Sequence, residues 1–209
     1  YQGLRKDPGS IRDYASVAAS LANEVKKLAL MPNDSATRFK GKPGTVKRVA
    51  WSEPIPLPQV KAVGRVLGCS VNDMLLSAVA GALRAYLVEK GDVATDTEIR
   101  ALVPVNLRST DSSEMLGNHF GLVALELPVG IENPLTRLYT TRERMQTLKG
   151  SYQAPVTYSL LGLVGMAPRF LQQQVLDLLS SKATAVMTNV PGPQQARYMA
   201  GVKLRQQMF

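Results

Sequence analysis

Ser70 and Asp73 stand three residues apart at the head of an apolar run, Val71 to Leu87. That is the spacing of a capping box, in which the serine hydroxyl accepts from the third helical N–H and the acid reaches back to the cap N–H. Asp73 also suits the positive end of a helix dipole, so both residues have a structural explanation. Asn72 differs. It shares a helical stripe with Leu75, Leu76 and Val79 and is expected to point inward, where a buried amide needs partners and orienting a catalytic group is one way to find them. A second candidate is Thr188-Asn189 at the end of a β-like run, with Pro191 and Gly192 fixing the chain direction just beyond. Donors held at such an edge could stabilise an oxyanion; the alternative is an asparagine that bonds its own backbone at a strand-to-turn transition. Arg108 could bind an anion or pair with an acid such as Asp111. His119 is the only histidine, and histidine is the usual general base, yet it enters a strand with no Asp or Ser partner in view. Cys69, the only cysteine, precedes a helix start among apolar residues and reads as a small hydrophobe. One Cys and one His make no zinc set, and there is no nucleophile elbow, phosphate-binding loop or dinucleotide fingerprint.

These residues need elements to hold them. Apolar residues at three- and four-residue steps predict an amphipathic helix over 10–31, with Ser10 as its cap, followed by a Pro- and Gly-containing basic loop over 32–48. A short strand is expected over 46–52, a helix over 57–67 with Pro58 in its first turn and Gly68 as its end, and a long helix over 71–90 stopped by Gly91. The wide apolar arc of the long helix predicts that it is largely buried. Strands are expected over 99–105 and 119–127, the second nearly apolar on both faces and so interior. A helix follows over 134–149, then a broken helical stretch over 156–181, then two strands over 184–190 and 198–208 joined by the Pro191-Gly192-Pro193 turn.

The chain has 209 residues, 45% of them apolar and only 6% aromatic, enough for a real core and better suited to helices on a sheet than to an aromatic-rich sandwich. Its net charge is +9, and residues 1–50 carry 10 basic against 4 acidic residues, so the basic character belongs to the N-terminal stretch. Such a stretch could meet nucleic acid, anionic lipid or a phosphorylated ligand, or be a solvated linker. Without interleaved aromatics or a recognisable motif, nucleic acid is not expected as a partner.

Four segments resemble the C-terminal domain of the bacterial wax ester synthase/diacylglycerol acyltransferase family: the run from Val71 to Leu87 with Asn72-Asp73 at its head, Leu102-Val-Pro-Val-Asn-Leu-Arg108, Leu116-Gly-Asn-His-Phe-Gly121, and Asn189-Val-Pro-Gly-Pro193. The resemblance implies an α/β (α+β) fold, a mixed sheet flanked by helices forming the C-terminal half of a chloramphenicol acetyltransferase-like protein. It implies a basic linker helix and loop over 1–45 and the acyltransferase-like domain over 46–209, truncated at its end. The family moves an acyl group from acyl-CoA, a co-substrate with no further cofactor, to a fatty alcohol or diacylglycerol. Its base is the second His of a His-His-x-x-x-Asp-Gly motif in an N-terminal half, and that motif is absent here, so no catalytic residue is expected in this chain and His119 is not the base. Asn72, Asp73, Thr188 and Asn189 would support the active site, and Arg108, Asn118, Pro191 and Gly192 would contact substrate, Arg108 through a coenzyme A phosphate. The N-terminal half of the same enzyme is the implied partner, with a cytoplasmic location, peripheral on the inner membrane or on lipid inclusions. A catalytically silent acyl- or lipid-binding module is the rival reading. Residues 155–170, too short to span a bilayer, could rest on a lipid surface or pack as core.

Overall fold

The computed structural model describes residues 26, 30–41, 44–107, 119–190, 192–193 and 195–204, the side chain of Leu163 aside. The expected helix over 10–31 lies outside the described residues except for Lys26 and Leu30, which are helical, and Met31, which is not.

Among the described residues, five helices with defined bounds surround a small mixed sheet. Helix α1, Leu57–Leu67, starts on Pro56 and ends on Gly68, which takes the left-handed φ of 64° that a Cβ would oppose. Helix α2, Val71–Glu89, begins at the Ser70 cap and buries the stripe Asp73, Leu76, Ser77, Ala80, Leu87. Strand β1, Ile99–Asn106, pairs antiparallel with β2, Phe120–Leu127, in a register that sets Arg100 opposite Glu126. Helix α3, Pro134–Lys149, is capped by the Asn133 side chain, and α4, Gln153–Gly165, and α5, Arg169–Lys182, follow it. Strand β3, Ala185–Val186, then joins the other side of β1 in parallel, giving the order β2-β1-β3. The core is one cluster of Leu76, Ala80, Leu87, Ile99, Val103, Val123, Leu125, Leu127 and Met145 between the sheet and the helices.

Several expectations are corrected. Residues 46–52 form no strand; Val46, Val49 and Trp51 are exposed, with no strand beside them among the described residues. Strand β2 is outermost and not interior. Its outer edge is closed by α4, because the Leu122 N–H donates to Thr157 Oγ1, which donates back to the Leu122 carbonyl, while the Ala124 N–H donates to Gln153 Oε1. The last two strands do not pair through the Pro-Gly-Pro turn. Instead β4, Tyr198–Met199, pairs with β5, Val202–Lys203, through Ala200 and Gly201 at φ of 49° and 82°. Helix α2 is not largely buried either, since Leu75 and Val79 are 41% and 39% exposed, although it is long and apolar enough to cross a membrane by length and composition alone.

Residues 31–40 form a strap tied to the sheet. Asp34 accepts from the Arg100 N–H at 2.9 Å and from Thr184 Oγ1 at 2.5 Å, and Lys40 Nζ donates to the carbonyls of Ser180 and Ala183. Arg38 ion-pairs with Asp92, which raises the guanidinium above its ordinary value and lowers the carboxyl below its own.

Candidate functional site

Helix α2 and strand β1 are joined by a short connection, and at ~1.5 Å and ~3.3 Å per residue they are nearly equal in length. Arg84 fastens the far end of α2 to the carbonyls of Val129 and Gly130, just past the end of β2. The helix therefore runs back along the sheet, with its start on the side away from Val129 and Gly130. Parallel β3 runs in the same direction as β1 and stops opposite Leu102, four residues short of Asn106 at the end of β1. One residue beyond β3 the Met187 N–H still donates to the Leu102 carbonyl at 2.9 Å, and Thr188 and Asn189 follow, both exposed. The carboxyl ends of parallel strands are where open α/β sheets bind ligands.

At the head of α2 the capping box is complete. Ser70 Oγ accepts from the Asp73 N–H at 3.2 Å, and Asp73 Oδ2 accepts from the Ser70 N–H at 2.9 Å and from its hydroxyl at 2.7 Å. Asp73 is buried by this work and is committed to it. Asn72 is half-buried rather than inward-facing as expected, because the buried stripe runs through Asp73, Leu76 and Ala80, one position round the helix from the apolar residues Leu75 and Val79. Its amide thus sits at the border between the core and the open apolar face.

His119 precedes β2, and its carbonyl accepts from the Leu107 N–H, just past the end of β1, at 2.9 Å. Its Nδ1 lies 3.2 Å from the hydroxyl of Tyr158 on α4, and the two rings are 5.9 Å apart at 35°. Sequence reasoning missed Tyr158, because it stands 39 residues away and only the docking of α4 on β2 brings it near. Gly192 is described and exposed, whereas Arg108, Asp111, Asn118 and Pro191 lie outside the described residues. Cys69 is half-buried, its thiol 3.4 Å from the Leu67 carbonyl. No cluster of three or more metal-ligating side chains occurs among the described residues.

Comparison with known proteins adds a family. Residues 116–209 match the domain described as the WS/DGAT C-terminal domain. A probable diacylglycerol O-acyltransferase of Mycobacterium tuberculosis is 29% identical over 188 residues, 88% of this chain and 40% of that protein. A second from the same organism is 32% identical over 211 aligned positions, 96% of this chain and 45% of that protein. The chain thus spans less than half the length of the curated relatives it matches. The fold matches that of a wax ester synthase/diacylglycerol acyltransferase from Marinobacter aquaeolei VT8, with a TM-score of 0.52 and 24% identity over 71% of this chain and 33% of that one. The chain is homologous to diacylglycerol O-acyltransferases, and its residues 116–209 match the WS/DGAT C-terminal domain.

Proposed function

We propose that this chain is one half of an acyl-CoA-dependent O-acyltransferase and forms one wall of its substrate channel, with a histidine-bearing N-terminal half supplying the general base. The observations that support this reading are that Thr188 and Asn189 follow β3 in the direction of β1, and that His119 precedes β2 with its carbonyl bonded to the Leu107 N–H just past the end of β1. Exposed apolar residues on α2 and on the segment before α1, among them Leu75, Val79, Trp51 and Ile55, offer the proposed N-terminal half a surface to cover.

In the proposed reaction the histidine of the other half takes the proton of the acceptor hydroxyl, and the oxygen forms a bond to the thioester carbonyl carbon. The carbonyl π electrons move to oxygen, where the Asn189 amide and the Thr188 hydroxyl donate hydrogen bonds. When the tetrahedral centre collapses, the C–S bond breaks and the coenzyme A thiolate leaves with the proton held by the histidine. Asn72 holds the wall beside this centre. The acceptor is a fatty alcohol or diacylglycerol, and such water-insoluble molecules suit a protein resting on a lipid surface. Met166, Phe170 and Leu171, exposed around the α4–α5 turn, are the residues that would touch it.

The test is steady-state thioester consumption by this chain joined to its N-terminal half. Asn189→Ala and Thr188→Val should lower kcat by about a hundredfold and tenfold, with little effect on melting temperature. Unchanged kcat in both variants would remove the oxyanion role.

A further inference from the structure

A cavity of about 450 Å³ opens between α1 and the start of α2, lined by Pro58, Lys61, Arg65, Cys69, Ser70 and Val71. Its walls are set by close backbone contact. Gly64, the only buried residue of α1, accepts from the Cys69 N–H at 2.8 Å, and a Cβ at Gly64 would lie 2.8 Å from the Cys69 carbonyl oxygen. Lys61 and Arg65 are one helical turn apart and project from the same face of α1. A third cation stands near the cavity without lining it, since Nη1 of the half-buried Arg142 on α3 lies 3.5 Å from the point a side chain would occupy at Gly68, next to Cys69.

None of the three side chains has an ion-pair or hydrogen-bond partner among the described residues, whereas Arg38, Arg84, Arg100 and Arg144 all pair with carboxylates. No acid occurs in sequence between Glu53 and Asp73, and the Asp73 carboxylate is held by the Ser70 N–H and hydroxyl. The α2 N-terminus is closed by its own capping box, so the attraction for an anion comes from the cations around the cavity. Like charges gathered without counter-charges are costly unless a multivalent anion joins them, and guanidinium groups match phosphate oxygens in pairs.

We propose that this basic pocket binds the phosphates of the acyl donor, the 3′-phosphorylated adenosine diphosphate end of acyl-CoA. This assignment of the donor rests on the acyltransferase reading; the phosphate chemistry does not. A volume of this order accommodates such a polyanionic group, and the wall of the pocket runs directly from Val71 into Asn72. A ligand anchored there by its phosphates has its thioester arm free to reach the sheet end.

The test is titration of the 209-residue chain with coenzyme A, 3′-dephospho-coenzyme A and pyrophosphate, alongside sedimentation with phosphatidylglycerol vesicles. The expected result is coenzyme A binding that weakens with added salt, with loss of the 3′-phosphate, and about tenfold in K61Q/R65Q, but not in R48Q, an exposed basic site that does not line the pocket. Lys61 and Arg65 are exposed, so the double variant should keep the parent's fold. No coenzyme A binding, or unchanged affinity in K61Q/R65Q, overturns the proposal, as does loss of vesicle binding alone, which would assign the pocket to a lipid headgroup. If coenzyme A binds here yet the joined enzyme turns over no thioester, the acyltransferase reading fails and the pocket stands. Turnover with an unchanged KM for acyl-CoA in K61Q/R65Q fails the pocket alone.

Discussion

The buried guanidinium of Arg100 pairs with Glu126 at 2.8 Å directly across β1 and β2, and donates on its other side to the carbonyls of Pro32 and Lys182 at 3.0 and 2.9 Å. One side chain thus joins two strands, the 31–40 strap and the end of α5. Removing it leaves the carbonyls and a partly buried carboxylate without their donor, so Arg100→Met should cost about 3 kcal/mol in denaturant unfolding. A loss below about 1 kcal/mol would show that the strap is held elsewhere.

The same pair has a pH signature. The Arg100 hydrogen bond foremost, opposed by burial and helped by Arg144, holds the Glu126 carboxyl below the usual glutamate range. A lowered folded pKa gives stability that is present above the ordinary value and is lost as pH falls through the lowered one. Glu126 is half-exposed, so the contribution is about 1 kcal/mol or less. Glu126→Gln should be less stable than the parent at pH 7 and should converge with it as pH falls below the ordinary glutamate range and through the lowered value. A gap that persists unchanged to low pH would mean that lost packing, not charge, sets the difference.

Gly121 faces the α4 backbone so closely that an added Cβ would overlap the Ala154 carbonyl. Gly121→Ala must therefore push α4 off the β2 edge that Gln153 and Thr157 close, at a cost of about 3 kcal/mol. Amide exchange at Leu122 and Ala124 reads this directly, and protection equal to the parent's would contradict it.

At the head of α2 the residues should separate by role. Ser70→Ala should lower stability by about 1 kcal/mol, and Asp73→Ala by more, because its buried carboxylate accepts from both the Ser70 N–H and its hydroxyl. Asn72→Ala should lower turnover of the joined enzyme beyond what its melting temperature explains. Activity losses that merely follow melting temperature in all three would make Asn72 structural.

What was legible in the sequence was what is signalled locally. Pro58 and Gly68 bracket α1, the Ser70-x-x-Asp73 box opens α2, and Pro134 opens α3 near its expected bounds, because caps and breakers act within one turn of themselves. The Val46-to-Ser52 segment has β-like composition, but a strand also needs a partner to receive its hydrogen bonds. The apolar faces of β2 do not reveal that side chains from α4, and not another strand, take up its edge. In the candidate site, Asn72 and Asn189 are candidates on residue type and spacing alone, while the His119–Tyr158 contact and the approach of Arg142 to Gly68 depend on how helices dock.

The α4–α5 turn gives a prediction for lipid surfaces. Met166 and Phe170 are 80% and 63% exposed, so charged replacements there should leave folding intact. Met166→Glu/Phe170→Glu should abolish flotation with anionic vesicles while the melting temperature stays within a few degrees of the parent's. Undiminished flotation of the folded variant would remove these residues from any lipid contact.

The most direct measurement compares thioester consumption by the purified 209-residue chain alone and by the same chain combined with the histidine-bearing N-terminal half, each with a long-chain alcohol or diacylglycerol as acceptor. The chain alone should release no thiol above the uncatalysed rate, and the combined halves should restore turnover that depends on the histidine of the added half. Turnover by this chain alone, lost in His119→Ala, would contradict this and make His119 the base.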